Sequence, residues 1–379
     1  MPKKELYEAI ATLVGVVIGA GVLGIPYVVQ QAGLWVGLLD ILIIGIAVLF
    51  LNLFLGEIVL RTKGNHQLTG YADKYLGKWG KALMAFSMVF GIYGAMIAYL
   101  IGEGKAFAAI FGGTPLIWSL VYFAFVAIIV YVGLKAVEKS ELLMSAVFII
   151  VIVLICILAF GAVKIENLAG FDLTNIMVPY GVILFAFLGA VAIPEMKEEL
   201  INNRKCLKKA IIIGSLIPLF VYLLFAFVVV GASGANITEV ATIGLGKLLG
   251  EKMIILGNLF AIFAMATSFI ALGLALQEMY NYDYKLSKKL SWALSCFVPL
   301  AAFLILSFFN MLSFVNVLGI TGAVAGGLDG VLISMMFLKA KTAGDRKPEY
   351  VVNINKGWCL ILAFLFALGI IHQLILFFI

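Results

Sequence analysis

The sequence predicts an all-α polytopic membrane protein with eleven transmembrane helices. Of its 379 residues, 64% are hydrophobic and 12% are charged, a composition far from that of a soluble domain of this length. The apolar residues form stretches of about 20 or more, the length that a helix needs to cross roughly 30 Å of hydrocarbon. Because these stretches do not alternate between apolar and polar residues, a transmembrane β-barrel is excluded.

Short polar clusters separate the spans of what we predict to be a single transmembrane domain, residues 1–379. The first span lacks a small-residue cleavage site, so we expect it to be retained. After the second span, Tyr71, Tyr75 and Trp79 lie among lysines, which predicts an interfacial helix. The predicted spans cover residues 5–31, 34–60, 80–109, 115–133, 137–163, 174–197, 207–231, 248–279, 291–309, 313–338 and 357–379.

The basic residues indicate the orientation of the spans. If the amino terminus is cytoplasmic, most of the 26 Lys and Arg residues fall on the cytoplasmic side, as the positive-inside rule requires. We therefore expect a multi-pass plasma membrane protein with its carboxyl terminus outside, and the net charge of +6 requires no nucleic-acid partner. The cytoplasmic basic residues lie in segments 3–4, 61–81, 135–139, 197–209, 285–289 and 339–356.

The chain carries an internal repeat. Residues 21–26 align with residues 189–194, and both segments read Gly, two apolar residues, a small residue, then Ile-Pro. The same offset places the second span on the seventh and the third on the eighth. Each copy holds five spans, an odd number, so the copies have inverted topology. Such repeats with Gly/Pro-interrupted spans are typical of secondary transporters; the alternative is chance similarity between two glycine-rich apolar segments. The copies cover 5–163 and 174–338, and 357–379 is an extra helix.

The glycines of the first span predict an unwound turn in mid-membrane. Free backbone N–H and C=O groups are tolerated there only where protein, water or a ligand satisfies them. At Ile18-Gly19-Ala20-Gly21 the second half-helix would present its positive amino end to an anion, and the carbonyls ending the first half-helix would face a cation. A zwitterion with a carboxylate fits this arrangement, and so does a metal cation.

These motifs resemble those of the amino acid/polyamine/organocation transporter superfamily, most closely its amino acid/auxin permease-like branch, which includes aromatic amino acid permeases. The resemblance rests on GAGxLxxP in the first span, FLGxxAIPE in the sixth and AxATSFxALGL in the eighth. It implies the LeuT-type fold, with discontinuous helices 1 and 6. It also implies coupled uptake of an amino acid by alternating access, in which spans 1, 2, 6 and 7 rock against spans 3, 4, 8 and 9.

The resemblance also implies a substrate site made largely of main-chain groups. The amino acid carboxylate would meet the first-span amides, and its amino group would meet carbonyls in the sixth-span break. Tyr93, between Gly91 and Gly94, is our candidate wall from the third span, with ordinary helix packing as its alternative role. The resulting substrate-binding set is Gly19, Ala20, Gly21, Tyr93, Phe185, Phe187, Leu188 and Gly189.

The coupling ion follows from the eighth-span string. In sodium-coupled relatives, one sodium ion lies between carbonyls of the first break and an alanine followed by hydroxyl residues. The similarity implies carbonyl ligands from Gly15, Ile18 and Ala264 and hydroxyl ligands from Thr267 and Ser268. The two hydroxyls have helix-to-helix hydrogen bonding as an alternative role. We favour sodium because the fifth span lacks the interior lysine of some proton-coupled relatives. Since the aromatic permease branch carries a similar string and is proton-driven, a proton is the alternative.

Carboxylates inside spans are functional candidates, because an ionisable group at depth costs a few kcal/mol. Asp40, Glu195 and Asp329 are our candidates for gating or proton-linked roles; for Glu195 an interfacial cap is the simpler reading. Glu103 lies close to the predicted outer boundary, so we expect its side chain to reach the interface.

Other classes of function find less support in the sequence. No Walker loop, metal-ligand cluster or nucleophile–base pair at suitable spacing occurs, so we predict neither an ATP-driven pump nor an enzyme, and no cofactor beyond the coupling ion. No charged residue falls within the two breaks, which favours a neutral substrate, aromatic or branched in view of Phe185 and Phe187. The partners expected are an amino acid, a coupling cation and the lipid bilayer, with no obligate protein partner. The alternatives are an exchanger, a non-transporting amino acid sensor and, least favoured, a channel.

Overall fold

The computed structural model describes residues 2–133, 136–171, 173–282 and 284–378. Every long regular element in these ranges is a helix, which confirms the predicted all-helical class. The predicted basic position Lys135 lies outside the described residues, as does the side chain of Lys139. The helices are α1 (Pro2–Val17), α2 (Ile25–Ala32), α3 (Leu34–Arg61), α4 (Leu68–Phe111), α5 (Pro115–Val132), α6 (Ala136–Phe160), α7 (Tyr180–Ala186), α8 (Ala192–Glu199), α9 (Leu207–Ser233), α10 (Ala241–Leu249), α11 (Glu251–Tyr282), α12 (Lys288–Phe308), α13 (Phe314–Thr321), α14 (Gly327–Ala343) and α15 (Lys356–Phe378).

Most predicted spans have a counterpart long and apolar enough to cross a membrane. Among the described residues there are 8 such helices, or up to 9 if the bent α1–α2 pair is one span. The two other predicted spans correspond to α6 and to the α7–α8 pair, so the count of eleven stays a prediction. The predicted eighth span begins later than expected, since the short helix α10 ends at Leu249 and Gly250 separates it from α11.

The first span is interrupted as the glycine pattern predicts. Helix α1 ends at Val17, a 3₁₀ turn covers Ala20–Leu23, and α2 begins at Ile25, with a bend of 48° between the two halves. Gly19 has extended backbone angles, φ −125° and ψ −153°, which end the helical path. Pro26 lies in the first turn of α2, where its missing N–H has no intrahelical partner to lose.

The sixth span is interrupted at the corresponding place. Helix α7 ends at Ala186, residues 187–191 are not helical, and α8 begins at Ala192. Pro194 lies in the first turn of α8, as Pro26 does in α2. Both interruptions therefore use the same local signature, a small or apolar break followed by Ile-Pro at a helix start.

Two further helices depart from regular geometry. Helix α4 begins at Leu68 and contains a non-helical residue, Gly77 with φ 76°, so that the predicted interfacial segment and the third span form one bent element. Between α13 and α14 the chain forms a π-helical segment, Gly322–Gly326. Such segments interrupt regular helices and are frequent at functional sites.

The broken spans lie at the centre of the helix packing. Helix α1 packs against α8 and α9, while α7 packs against α3 and α13. Ala20 and Gly21 in the first break and Phe187 in the second are buried. The interruptions therefore sit inside protein rather than against lipid, where unpaired main-chain groups would not be tolerated.

Candidate substrate and ion site

The two breaks are in direct contact. A Cβ atom at Gly21 would lie 2.8 Å from the Cα of Ala186, the last residue of α7. A Cβ atom at Gly189 would lie 3.0 Å from a methyl group of Leu13 in α1. Only glycine allows this approach, because the Ala186 backbone cannot move aside for a side chain. The sequence pattern that interrupts each helix therefore also brings the interruptions together.

The first break offers two free amides rather than the three expected. The Gly19 N–H donates to the carbonyl of Val17 at 3.0 Å, so it is not available to a ligand in this structure. The N–H groups of Ala20 and Gly21 open the 3₁₀ turn and have no acceptor in the described part of the chain. Such amides favour an anion, as the amino end of any helix does.

The second break offers two free carbonyls among the four residues expected. The Phe185 carbonyl accepts from the Leu188 N–H at 3.1 Å, and the Gly189 carbonyl accepts from the Ala192 N–H at 3.0 Å. No donor within the described ranges reaches the carbonyls of Phe187 and Leu188. The contacting breaks therefore present amide donors on one side and carbonyl acceptors on the other.

Tyr222 of α9 joins the two breaks, a contact that sequence reasoning missed. Its hydroxyl lies 2.7 Å from the Val17 carbonyl and 3.0 Å from the Ala186 carbonyl, and these two residues end α1 and α7. The side chain is fully buried, and its ring lies against Phe187 with centroids 5.0 Å apart. The sequence feature that could have indicated this contact is the single tyrosine in the otherwise apolar middle of the seventh predicted span.

Tyr93 is not brought to the breaks. Its hydroxyl donates to the Leu294 carbonyl at 3.1 Å and lies 2.8 Å from the Tyr280 hydroxyl, so the ring faces α11 and α12. It also lines a cavity of about 440 Å³ between α4, α12 and α13. Tyr99, further along α4, is buried and lies beside Ser268, so it is nearer to the first break than Tyr93.

One of the predicted sodium ligands of α11 lies beside the first break. A Cβ atom at Gly19 would lie 3.3 Å from the Ser268 hydroxyl oxygen, which places α11 against the first break. No described group donates to the carbonyls of Gly15 and Ile18. The Thr267 hydroxyl donates to Phe263 at 2.9 Å and lies 3.2 Å from the Ala264 carbonyl. Main-chain and hydroxyl oxygens of this kind suit a hard cation.

The candidate carboxylates fall in different places. Asp329 accepts a hydrogen bond from Ser87 at 2.7 Å, Asp40 is buried in α3 with one carboxyl oxygen lacking a described partner, and Glu195 is exposed on α8. None of the three belongs to the contacting breaks. Glu103 differs from our expectation: its side chain is 0% exposed, because helix α4 turns it toward its neighbours rather than toward the interface.

Known proteins with similar sequences are amino acid transporters. The chain is 27% identical over 315 residues to glutamine transporter 2 of Aliivibrio fischeri, covering 78% of this chain and 80% of that protein. It is 26% identical over 313 residues to tyrosine-specific transport system 1 of Haemophilus influenzae, covering 75% and 76%. These similarities support a transporter rather than an enzyme.

Solved transporter structures share the fold. The structure of MhsT in complex with L-phenylalanine matches with a TM-score of 0.69 and 16% identity, covering 97% of both chains. A manganese transporter mutant from Eremococcus coleocola matches with a TM-score of 0.67 and 14% identity, covering 99% of this chain and 88% of that one. At these identities the matches establish a LeuT-like fold alone. The sequence itself matches the tryptophan/tyrosine permease family over residues 3–375, and the protein therefore belongs to that family of membrane amino acid permeases.

Proposed function

We propose that the protein imports a neutral amino acid, aromatic or branched, by ion-coupled symport with alternating access. The observation that carries this proposal is the contact between the two breaks, where Gly21 lies against Ala186. The free amides of Ala20 and Gly21 would bind the substrate carboxylate, and the carbonyls of Phe187 and Leu188 would bind its ammonium group. Both charges of a zwitterion are then satisfied without an ionised side chain.

Selectivity would come from the side chains around these main-chain groups. Phe187 is 3% exposed and packs on Tyr222, while Phe185 is half-buried beside Gly21. Apolar rings leave an acidic or basic substrate side chain without a partner, which disfavours charged amino acids. The relatives named for tyrosine, tryptophan and glutamine transport agree with a neutral substrate.

We propose sodium as the coupling ion. The carbonyls of Gly15, Ile18 and Ala264 with the hydroxyls of Thr267 and Ser268 would surround it, and the carbonyl end of α1 favours a cation.

In the proposed topology the chain has eleven spans, a cytoplasmic amino terminus and inverted repeats 5–163 and 174–338. The pairs α1–α2 and α7–α8 are then equivalent and cross the membrane in opposite directions.

Uptake into proteoliposomes tests this proposal. Purified protein is reconstituted and supplied with radiolabelled L-tryptophan, L-tyrosine, L-leucine or L-glutamine under an imposed sodium or proton gradient. We expect sodium-driven uptake that is lost when Thr267→Ala and Ser268→Ala are combined. Acid-stimulated uptake indifferent to sodium would replace sodium by a proton, gradient-independent counterflow would indicate an exchanger, and binding without flux would indicate a sensor.

A further inference from the structure

Glu103 is an uncompensated carboxyl group in the protein interior. It lies in α4 with a side chain that is 0% exposed, and neither carboxyl oxygen has a hydrogen-bond donor within the described ranges. Glu57 in α3 is equally buried, but it accepts from Arg61 at 2.8 Å and from the Val352 N–H at 2.6 Å. The contrast between the two glutamates shows that this fold pairs a buried charge at one place and leaves a buried acid unpaired at another.

The surroundings of Glu103 supply phenols and apolar groups. Tyr122 of α5 lies near Glu103, and the Tyr122 hydroxyl also has no hydrogen-bond partner among the described residues. Tyr99 lies one turn earlier on α4. Helix α11 contributes Phe269, whose ring meets Tyr122 edge-on with centroids 5.7 Å apart. The nearest cation along the chain, Lys105, pairs instead with Glu239.

These surroundings determine the state of the carboxyl group. An ionised carboxylate without a counter-ion or a donor is strongly unfavourable in a buried, low-dielectric site. Glu103 is therefore neutral and carries a proton in the arrangement described above. A cation that binds nearby shifts this balance toward the ionised carboxylate, because a positive charge stabilises a negative one across a low dielectric.

The cluster is connected to the proposed ion site. The α4 segment that carries Glu103 packs against α11, since a Cβ atom at Gly102 would lie 2.5 Å from the Met265 sulfur. Tyr122 lies near both Glu103 and Tyr99, and Tyr99 lies beside Ser268. Ser268 contacts Gly19 in the first break. A cation bound between α1 and α11 would thus be separated from Glu103 by three side chains, Ser268, Tyr99 and Tyr122, all of them buried or half-buried.

We propose that Glu103 is a proton-binding site linked to cation occupancy of the first break. Cation binding stabilises the ionised form, so the carboxyl O–H bond breaks and the proton passes to the aqueous phase; cation release restores the acid. The linkage is reciprocal, and a proton on Glu103 weakens cation binding to the same extent that the cation weakens proton binding. This inference rests on the proposed cation site and adds an acidic residue to its machinery.

Proton release on cation binding tests the inference. Purified protein in weakly buffered detergent solution is mixed with sodium chloride or choline chloride, each with and without L-tyrosine, and a pH indicator reports the protons released. We expect up to about one proton per protein on sodium addition. The Glu103→Gln variant should release none, Glu103→Asp should restore release, and the control Glu57→Gln should behave as the unaltered protein.

Sodium affinity measured against pH gives a second readout. Below the pH at which half of the protons are released, the sodium affinity of the unaltered protein should fall by up to about tenfold for each unit by which the pH decreases. The sodium affinity of Glu103→Gln should not vary with pH. An unchanged pH dependence in Glu103→Gln overturns the proposal. If Glu103→Gln fails to fold, the Tyr122→Phe variant replaces it. This variant should shift the pH midpoint of proton release, and an unshifted midpoint overturns the proposal. If sodium releases no proton but L-tyrosine does, and Glu103→Gln releases none, the linkage of Glu103 to the cation is overturned, while the proposed amino acid binding is not.

Discussion

Tyr222 connects the two broken helices at the proposed substrate site. Its hydroxyl lies within hydrogen-bond distance of the Val17 and Ala186 carbonyls, which end the two half-helices at the breaks. A hydroxyl carries one proton, so it donates to one of the two carbonyls at a time and stays in contact with the other. The residue binds main chain rather than substrate, and we regard it as a positioning residue.

Replacing Tyr222 by Phe should loosen the pairing of the breaks. We expect the loss of a buried donor to cost about 1–3 kcal/mol and the KM for uptake to rise. Thermal unfolding and initial uptake rates measure the two effects. Tyr350→Phe is the matched control, because the Tyr350 hydroxyl donates to Leu53 at 2.8 Å in another buried place. It should lower stability comparably and leave KM unchanged; a KM change of the same size in both variants would remove the special role of Tyr222.

Gly21→Ala tests the close approach of the two breaks. The added Cβ would lie 2.8 Å from the Ala186 Cα, so the break must widen and the donors and acceptors must separate. We expect amino acid binding to fall by at least about tenfold, which corresponds to about 1.4 kcal/mol. The control is Gly161→Ala, where nothing lies within 4 Å of the added atom. Equal binding by both variants would contradict a site at this contact.

At this scale the sequence predicts only part of the site. Gly19, Ala20 and Gly21 could be identified because glycines mark positions of unusual backbone, but the Gly19 amide is used internally by Val17. The Tyr93 hydroxyl contacts Tyr280 and Leu294, and the sequence does not predict these contacts because the rotation of a helix decides which of its aromatic residues faces which neighbour. Tyr222 and Glu103 depend on contacts between distant segments, and a single sequence does not encode such contacts visibly.

Among the elements, the segment between α14 and α15 packs against the connection between α3 and α4. The N–H groups of Asp345 and Arg346 donate to the Arg61 carbonyl at 2.9 and 3.2 Å. The Asp345 carboxylate forms an ion pair with Lys74 and accepts from the Lys63 N–H at 2.9 Å. These contacts connect the end of α3, the start of α4 and the chain beyond α14.

The Asp345 contact should depend on pH. The hydrogen bond from Lys74, with that from the Lys63 N–H, holds the pKa of Asp345 below its usual 3.8. A lowered pKa means that the contact stabilises the folded state above about pH 4 and loses this effect as the pH falls through the folded-state pKa. Asp345→Asn should therefore melt lower than the unaltered protein at pH 7, with the difference shrinking toward pH 3.

A surface pair on the same face provides the control for that measurement. Asp73 lies 3.3 Å from Lys81, and both side chains are largely exposed, at 43% and 57%. Such pairs contribute little, so Asp73→Asn should melt with the unaltered protein. A melting difference for Asp345→Asn that is constant from pH 7 to pH 3 would show that its carboxylate charge is not the cause.

Elements were more predictable than residues because their signals are local. Gly19 and Gly21 with Pro26 predict the first interruption, and the same Ile-Pro signature predicts the second. The non-helical Gly77 inside α4 and the π-helical segment before α14 were not predicted, because a glycine within a helix is compatible with a regular turn. The separate helix α10 was missed because its apolar residues continue into those of α11.

At the scale of the whole molecule, the proposed topology assigns each face to one side of the membrane. Lys209, near the start of α9, should face the cytoplasm, and Lys164, after α6, should face outward. In a Cys206→Ser background, Lys209→Cys should react with an impermeant thiol reagent only after the cells are opened. Lys164→Cys should react in intact cells, and the reverse pattern would invert the topology.

The central claim is that two interrupted helices of one bundle together form a site for a zwitterionic amino acid. Its most direct test is a density map of the protein prepared with saturating L-tyrosine and sodium. We expect ligand density between the amides of Ala20 and Gly21 and the carbonyls of Phe187 and Leu188. Continuous helices through both breaks, or ligand only in the cavity beside Tyr93 with the breaks empty, would contradict the account.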